Sequence, residues 1–208
     1  NRLVEVASTP YTASTIHYEY DVFNRLHSRD DGPGFGSSKI YWIYDEGINP
    51  VGQFDTTLGK RKLYLWSDAV DDLLAAEDSP PPNGSANVLW PLSDHLGTIR
   101  DIADRNSATG VTSVVNHRRY DSFGQRVSET NAAVDLIFGY TGKLFDEATG
   151  LQNNLNRWYD PRLGKFVSQD PIGFLGDDEN LYGYVGNNAA NATDPSGNIV
   201  IFVHGINT

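Results

Sequence analysis

The chain has 208 residues, 39% of them hydrophobic and 12% aromatic, which is enough apolar material for a sizeable core and excludes a disordered polymer. Its net charge of −11 argues against a nucleic-acid partner, because gripping a phosphate backbone requires clustered Lys and Arg. Cysteine is absent, excluding disulfides and thiolate metal sites, and no apolar run approaches the ~20 residues that span a bilayer.

Methionine is also absent and Asn1 comes first, so the sequence reads as an internal piece of a longer protein. The lack of a signal peptide then says nothing about export. Eleven Tyr, nine Phe and four Trp among 20 Gly and 10 Pro point to a mainly β fold, since flat rings suit pleated sheets and Gly and Pro suit tight turns.

In chain order, an aromatic strand ending in Tyr-Asp, a short turn and a returning arm recur. The first copy is HYEYDVFNRLHSR at His17–Arg29, and a Gly/Pro/Ser-rich loop follows at Asp30–Ser38. The second is YWIYDEGINPVGQFD at Tyr41–Asp55. Next, SDAVDDLLAAE at Ser67–Glu77 has acidic residues first and helix formers after, which predicts one short helix. A second loop, EDSPPPNGSAN, covers Glu77–Asn87. WPLSDHLGTIRDI at Trp90–Ile102 has the repeat skeleton with Ser in place of Tyr. Further copies are HRRYDSFGQRVSET at His117–Thr130 and RWYDPRLGKFVSQ at Arg157–Gln169.

Each copy reads as a hairpin. Asp94, Asp121 and Asp160 open turns, where a carboxylate accepts a backbone N–H two residues on. Gly97, Gly124 and Asn24 follow three residues after their aspartates and supply positive φ, while Gly164 closes a turn one residue longer that begins with Pro161. A lone hairpin is marginal, so the copies are expected to stack into one larger sheet.

Four phrases carry a family resemblance: SDHLGTIRDIAD, YDSFGQRV, FGYTGKLFDEATGLQNNLNRWYDPRLGKFVSQDPIG and NLYGYVGNNAANATDPSG. They cover most of Val88–Gly197, and the chain there resembles the C-terminal core of Rhs/YD-repeat proteins. That family includes teneurin-like shells, polymorphic toxins and the C subunits of insecticidal toxin complexes. The resemblance implies β-hairpins spiralling into part of a hollow shell, with a plug-like end turned inward. It divides the chain into a YD-repeat strip at 1–87, a repeat-associated core at 88–197, and the start of a variable C-terminal region at 198–208. It also implies a secreted or cell-surface location, with the protein's own C-terminal effector polypeptide as the enclosed partner.

In toxin members the core acts as an aspartyl autoprotease that cuts just after the second Asp-Pro-Xaa-Gly. Carried onto this sequence, Asp170 and Asp194 become the catalytic pair, with the cleavage region at Asn198 and Ile199. The chemistry needs one ionised carboxylate as base toward water and one protonated carboxyl as acid. A bond tethered beside Asp194 would react intramolecularly at high effective concentration. As bare turns, both aspartates would only cap their own backbones. The sequence departs from the family in two places: Asn198 stands where many members have Leu, and the acidic GDDEN at Gly176–Asn180 replaces a shorter Gly-rich turn. Arg157, Arg162 and Lys165 are the nearby basic residues, and spacing does not choose among them.

The tail NIVIFVHGINT at Asn198–Thr208 resembles the early strand and oxyanion loop of an α/β-hydrolase, although no G-x-S-x-G nucleophile is present. No metal site is expected, because His17, His27, His95, His117 and His204 lack any ligand spacing, and no cofactor is implied. Three functions stay open: a shell that releases its effector by self-cleavage, a non-cleaving teneurin-like surface shell binding a cell-surface protein or glycan, and the scaffold of a secreted hydrolase.

Overall fold

The structure, a computed structural model, describes residues 2–7, 15–32, 39–56, 61–79, 87–176 and 179–203. Eleven strands form one antiparallel sheet in which spatial order follows chain order. They are β1 (Glu5–Ala7), β2 (Thr15–Tyr20), β3 (Leu26–Asp30), β4 (Lys39–Tyr44), β5 (Pro50–Asp55) and β6 (Arg61–Trp66). The sheet continues through β7 (Leu73–Ser79), β8 (Asn87–Ser93), β9 (Ile99–Arg105), β10 (Thr112–Tyr120) and β11 (Arg126–Glu129). It crosses position 87 without interruption, because β7 pairs with β8. A smaller antiparallel sheet follows, made of β12 (Leu144–Asp146), β13 (Leu151–Asn154), β14 (Arg157–Asp160) and β15 (Lys165–Phe166). Finally β16 (Ala192–Thr193) pairs with β17 (Ile201–Phe202).

The expected hairpins share one local device. Asp21, Asp94 and Asp121 each accept two backbone N–H groups on one carboxylate oxygen, at 2.9–3.1 Å, from residues two and four positions on. Asn24, Gly97, Gly124 and Gly164 all take positive φ, between 63° and 85°. The hairpins β2–β3, β4–β5, β6–β7, β8–β9 and β10–β11 also shift register just before their turns, as at Glu19/Tyr20, Leu92/Ser93 and Arg119/Tyr120, so the extra residue sharpens the local twist.

The short helix expected over Ser67–Glu77 does not form. Residues 67–72 make another hairpin turn and Leu73–Ser79 is a strand. Ser67 takes the aspartate's place, its Oγ accepting the Ala69 N–H at 3.0 Å, and Asp71 supplies the positive φ of 55°. Helix propensity over so short a stretch is a weak preference, and ladder bonds to β6 on one side and β8 on the other outweigh it.

Period-two alternation sends one face of the large sheet into the main core. Ile16, Tyr18, Leu26, Trp42, Tyr64, Leu89 and Ile102 pack there against Leu136, Phe138, Leu144, Leu151 and Trp158, which come from the second sheet and the segment leading to it. Burying each such side chain contributes about 1.5–3 kcal/mol. Trp158 is fixed twice: its ring lies 4.7 Å from that of Tyr18, and its indole N–H donates to the Tyr20 hydroxyl at 2.7 Å. On the far side of the small sheet, Tyr140, Tyr159, Phe166 and Tyr184 form a second core with Ala189 and Ala192. That core holds the chain around Asp194 against β14.

Three expectations fall on residues outside the described set. These are the middles of the two Gly/Pro-rich loops (33–38 and 80–86), part of the acidic GDDEN segment (177–178), and the His204–Gly205 end of the tail.

Candidate active site

Strand β14 starts the site. All four of its residues are buried, although the first is the charged Arg157. An arginine inside a fully covered strand needs anionic or carbonyl partners, and here it has several. Its Nη2 lies 2.9 Å from Oδ2 of Asp170 and 3.2 Å from Oδ2 of Asp194. Its Nε donates to the Gly197 carbonyl oxygen and its Nη1 donates to the Leu181 carbonyl at 3.3 Å. The guanidinium also stacks 3.6 Å from the centroid of Phe166. The two aspartates therefore meet across one nitrogen, within roughly 6 Å of each other.

Asp170 and Asp194 are held differently. Oδ1 of Asp170 caps its own turn by accepting the Ile172 N–H at 3.0 Å, and its side chain keeps partial access to solvent. Asp194 is buried, and its Oδ1 accepts the N–H groups of Asn198 and Ile199, both at 3.0 Å. Burial pushes the Asp194 carboxyl above the ordinary carboxylate range, and the Ile199 N–H, the Arg157 cation and the Asn198 N–H pull it part of the way back. Burial likewise lowers the Arg157 guanidinium below its ordinary value, opposed by Asp170 and Asp194. Two bare carboxylates sharing a proton by mutual repulsion are thus not what the structure contains, because a cation stands between them. Desolvation is what favours the protonated form of Asp194.

The segment that follows Asp194 is fastened from outside. Asn154 donates its Nδ2 to the Asp194 carbonyl at 2.6 Å, and Asn156 donates both its backbone N–H and its Nδ2 to the Ser196 carbonyl, at 3.1 and 3.0 Å. Gly197 has φ +71°, and a Cβ there would lie 2.6 Å from the Asn154 carbonyl oxygen and 2.9 Å from the Arg157 nitrogen. Only glycine fits that approach. Beyond it, a cleft of about 300 Å³ is lined by Arg157, Asp170, Asp194, Asn198, Ile199 and Val200.

Of the residues singled out from sequence, Asp170, Asp194, Asn198 and Ile199 converge here. Asp94, Gly97, Asp121, Gly124, Asp160 and Gly164 lie at hairpin turns. Among the three basic residues, Arg157 bridges the pair, Arg162 pairs with Asp160 at 2.7 Å, and Lys165 is exposed on β15. Asn154 and Asn156 were not anticipated. The signal that could have found Arg157 is its place in the aromatic RWYD strand, where a cation implies buried partners. Among the described residues, no group of three or more His, Asp or Glu is placed to hold a metal ion.

The fold recurs in other proteins. The family model of the teneurin YD-shell matches residues 3–189. The chain is 38% identical over 193 residues to the tRNA3(Ser)-specific nuclease WapA of Bacillus spizizenii, covering 89% of this chain and 8% of the relative. It is 27% identical over 157 residues to the double-stranded DNA deaminase toxin A of Burkholderia cenocepacia, covering 73% of this chain and 10% of that protein. A crystal structure of TcdB2-TccC3 without its hypervariable C-terminal region superposes with a TM-score of 0.73 at 19% identity, over 93% of this chain and 10% of that one. The chain thus spans a tenth or less of each of these proteins. With its antiparallel ladder of hairpins, it belongs to the teneurin YD-shell family and is an Rhs/YD-repeat shell domain.

Proposed function

We propose that this chain is the closing segment of an extracellular shell that encloses a C-terminal polypeptide and frees it by cutting itself next to Asn198 and Ile199. The observation that carries this reading is the contact of Asp194, a buried carboxyl biased toward its protonated form, with the N–H groups on both sides of Asn198. A protonated Asp194 supplies the leaving amine with its proton, and the more accessible Asp170 serves as base. Arg157 is a positioning residue that holds both carboxylates and the Gly197 carbonyl.

The comparisons support placing any toxic activity outside this segment. A tRNA nuclease and a DNA deaminase are named for different reactions yet share this stretch, as expected of a common scaffold ahead of variable cargo. The hypervariable C-terminal region that the TcdB2-TccC3 structure omits fits the same layout. The net charge of −11 agrees with a shell that does not itself grip nucleic acid.

The test is fragment analysis of the full-length protein beside Asp170→Asn and Asp194→Asn variants. Two fragments meeting between Gly197 and Val200, and single uncut chains in both folded variants, are expected. A folded, uncut parent would refute self-cleavage and leave the two aspartates as turn formers.

A further inference from the structure

Asn198 stands where the resemblance leads one to expect leucine, and the structure gives that difference a chemical consequence. Its side-chain Oδ1 is buried without a hydrogen-bond partner, so no donor fixes the amide in place. Its backbone is held firmly: its own N–H and that of Ile199 both donate to Oδ1 of Asp194 at 3.0 Å, and the preceding Gly197 is wedged against Asn154 and Arg157. An asparagine side chain is always near its own backbone. Two five-membered closures are open to it, and the structure discriminates between them.

In one closure the Ile199 nitrogen attacks the Asn198 side-chain carbonyl, which leads to deamidation. That nitrogen is engaged with Asp194, and it belongs to a β-branched residue that crowds the approach. In the other closure the side-chain Nδ2 attacks the Asn198 backbone carbonyl and Ile199 departs as an amine. The Ile199 N–H donates to Oδ1 of Asp194 at 3.0 Å, so that carboxyl, once protonated, stands within reach of the departing amine. The nucleophile is tethered to its target, so the step needs no water bound in the cleft and gains the advantage of an intramolecular reaction.

Resting on the self-cleavage reading, we infer that the nucleophile at this site is the Asn198 side-chain amide, and that the chain parts at Asn198–Ile199 by forming a C-terminal cyclic imide. The atoms balance within the site. An Nδ2–C bond forms and the C–N bond to Ile199 breaks. One Nδ2 proton passes to the Asp170 carboxylate, and the Asp194 carboxyl gives its proton to the departing amine. No oxidant, reductant or cofactor is required, and water enters only later, when the imide opens.

The experiment follows the full-length protein as it matures, in water enriched in heavy oxygen, with acid quenching at early times and mass analysis of the C-terminal peptide of the shell fragment. The expected peptide ends at Asn198, is lighter than the hydrolytic product by one water, and gains label only as the lighter form decays. Any peptide released from Asn198→Leu is expected to carry the full hydrolytic mass and label from the start, because that side chain cannot close the ring. A wild-type peptide with the full hydrolytic mass and label from the earliest time overturns the inference while leaving self-cleavage intact. The wild-type peptide mass decides the matter even if that variant misfolds. A folded wild-type protein that is never cut removes both this inference and the reading beneath it.

Discussion

Replacing Arg157 by methionine removes the cation that touches both candidate carboxylates while keeping much of the side chain's apolar bulk. In the wild type the guanidinium lies 2.9 Å from Asp170 and 3.2 Å from Asp194, bonds two carbonyls, and is itself almost wholly buried. Breaking a buried pair by deleting one partner costs about 3–5 kcal/mol, because the remaining charge stays uncompensated. The loss should depend on pH. The folded-state pKa of Asp194 is already raised, so its favourable contribution is fully present below the unfolded value near 3.9 and is lost as pH rises through the folded value. Removing Arg157 raises that folded value further and extends the unfavourable window upward. The variant's penalty is therefore expected to be largest near neutrality and to shrink as the carboxyls protonate. Urea unfolding followed by tryptophan fluorescence, at about pH 7.5 and about pH 4.5, measures both penalties. A penalty below about 1 kcal/mol at the higher pH, or an equal one at the lower, would refute the buried-charge account.

Two glycines of positive φ should respond differently to alanine. At Gly124, φ +85°, a Cβ would sit 2.3 Å from the ring of Tyr140, whereas at Gly173, φ +59°, it would meet nothing within 4 Å. Thermal or urea unfolding should report a loss of about 1–2 kcal/mol for Gly173→Ala from backbone strain alone, and about 1–3 kcal/mol more for Gly124→Ala. Equal losses would contradict the packing described. Lys143 pairs with Asp71 at 2.7 Å with both side chains buried, tying the β6–β7 turn to the loop before β12. Lys143→Met is expected to cost about 3–5 kcal/mol by the same measurement, and a neutral outcome would show that the two groups are not held together out of water.

The hairpins were legible in the sequence because their cause is local. An aspartate that binds N–H groups two and four residues on, followed by a residue that tolerates positive φ, writes its own turn, as at Asp94–Gly97 and Asp121–Gly124. Period-two alternation is local in the same way, turning Ile16 and Tyr18 of TIHYEY and Trp42 of KIYWIY toward the core. Residues 67–79 were misread where that local code was disguised: Ser67 stands for the aspartate and Asp71 for the glycine, and the strand after them is made of good helix formers. Ladder bonds to two neighbouring strands decided the outcome, and such pairing is not written within the segment. The candidate site divides in the same way. The two Asp-Pro-Xaa-Gly turns and the resemblance pointed to Asp170 and Asp194. The choice of Arg157 over Arg162 and Lys165, the clamp from Asn154 and Asn156, and the burial that favours a proton on Asp194 came from tertiary structure alone. Desolvation and long-range hydrogen bonds depend on what the fold brings close and what it shuts away from water, and neither is a property of any short stretch of chain.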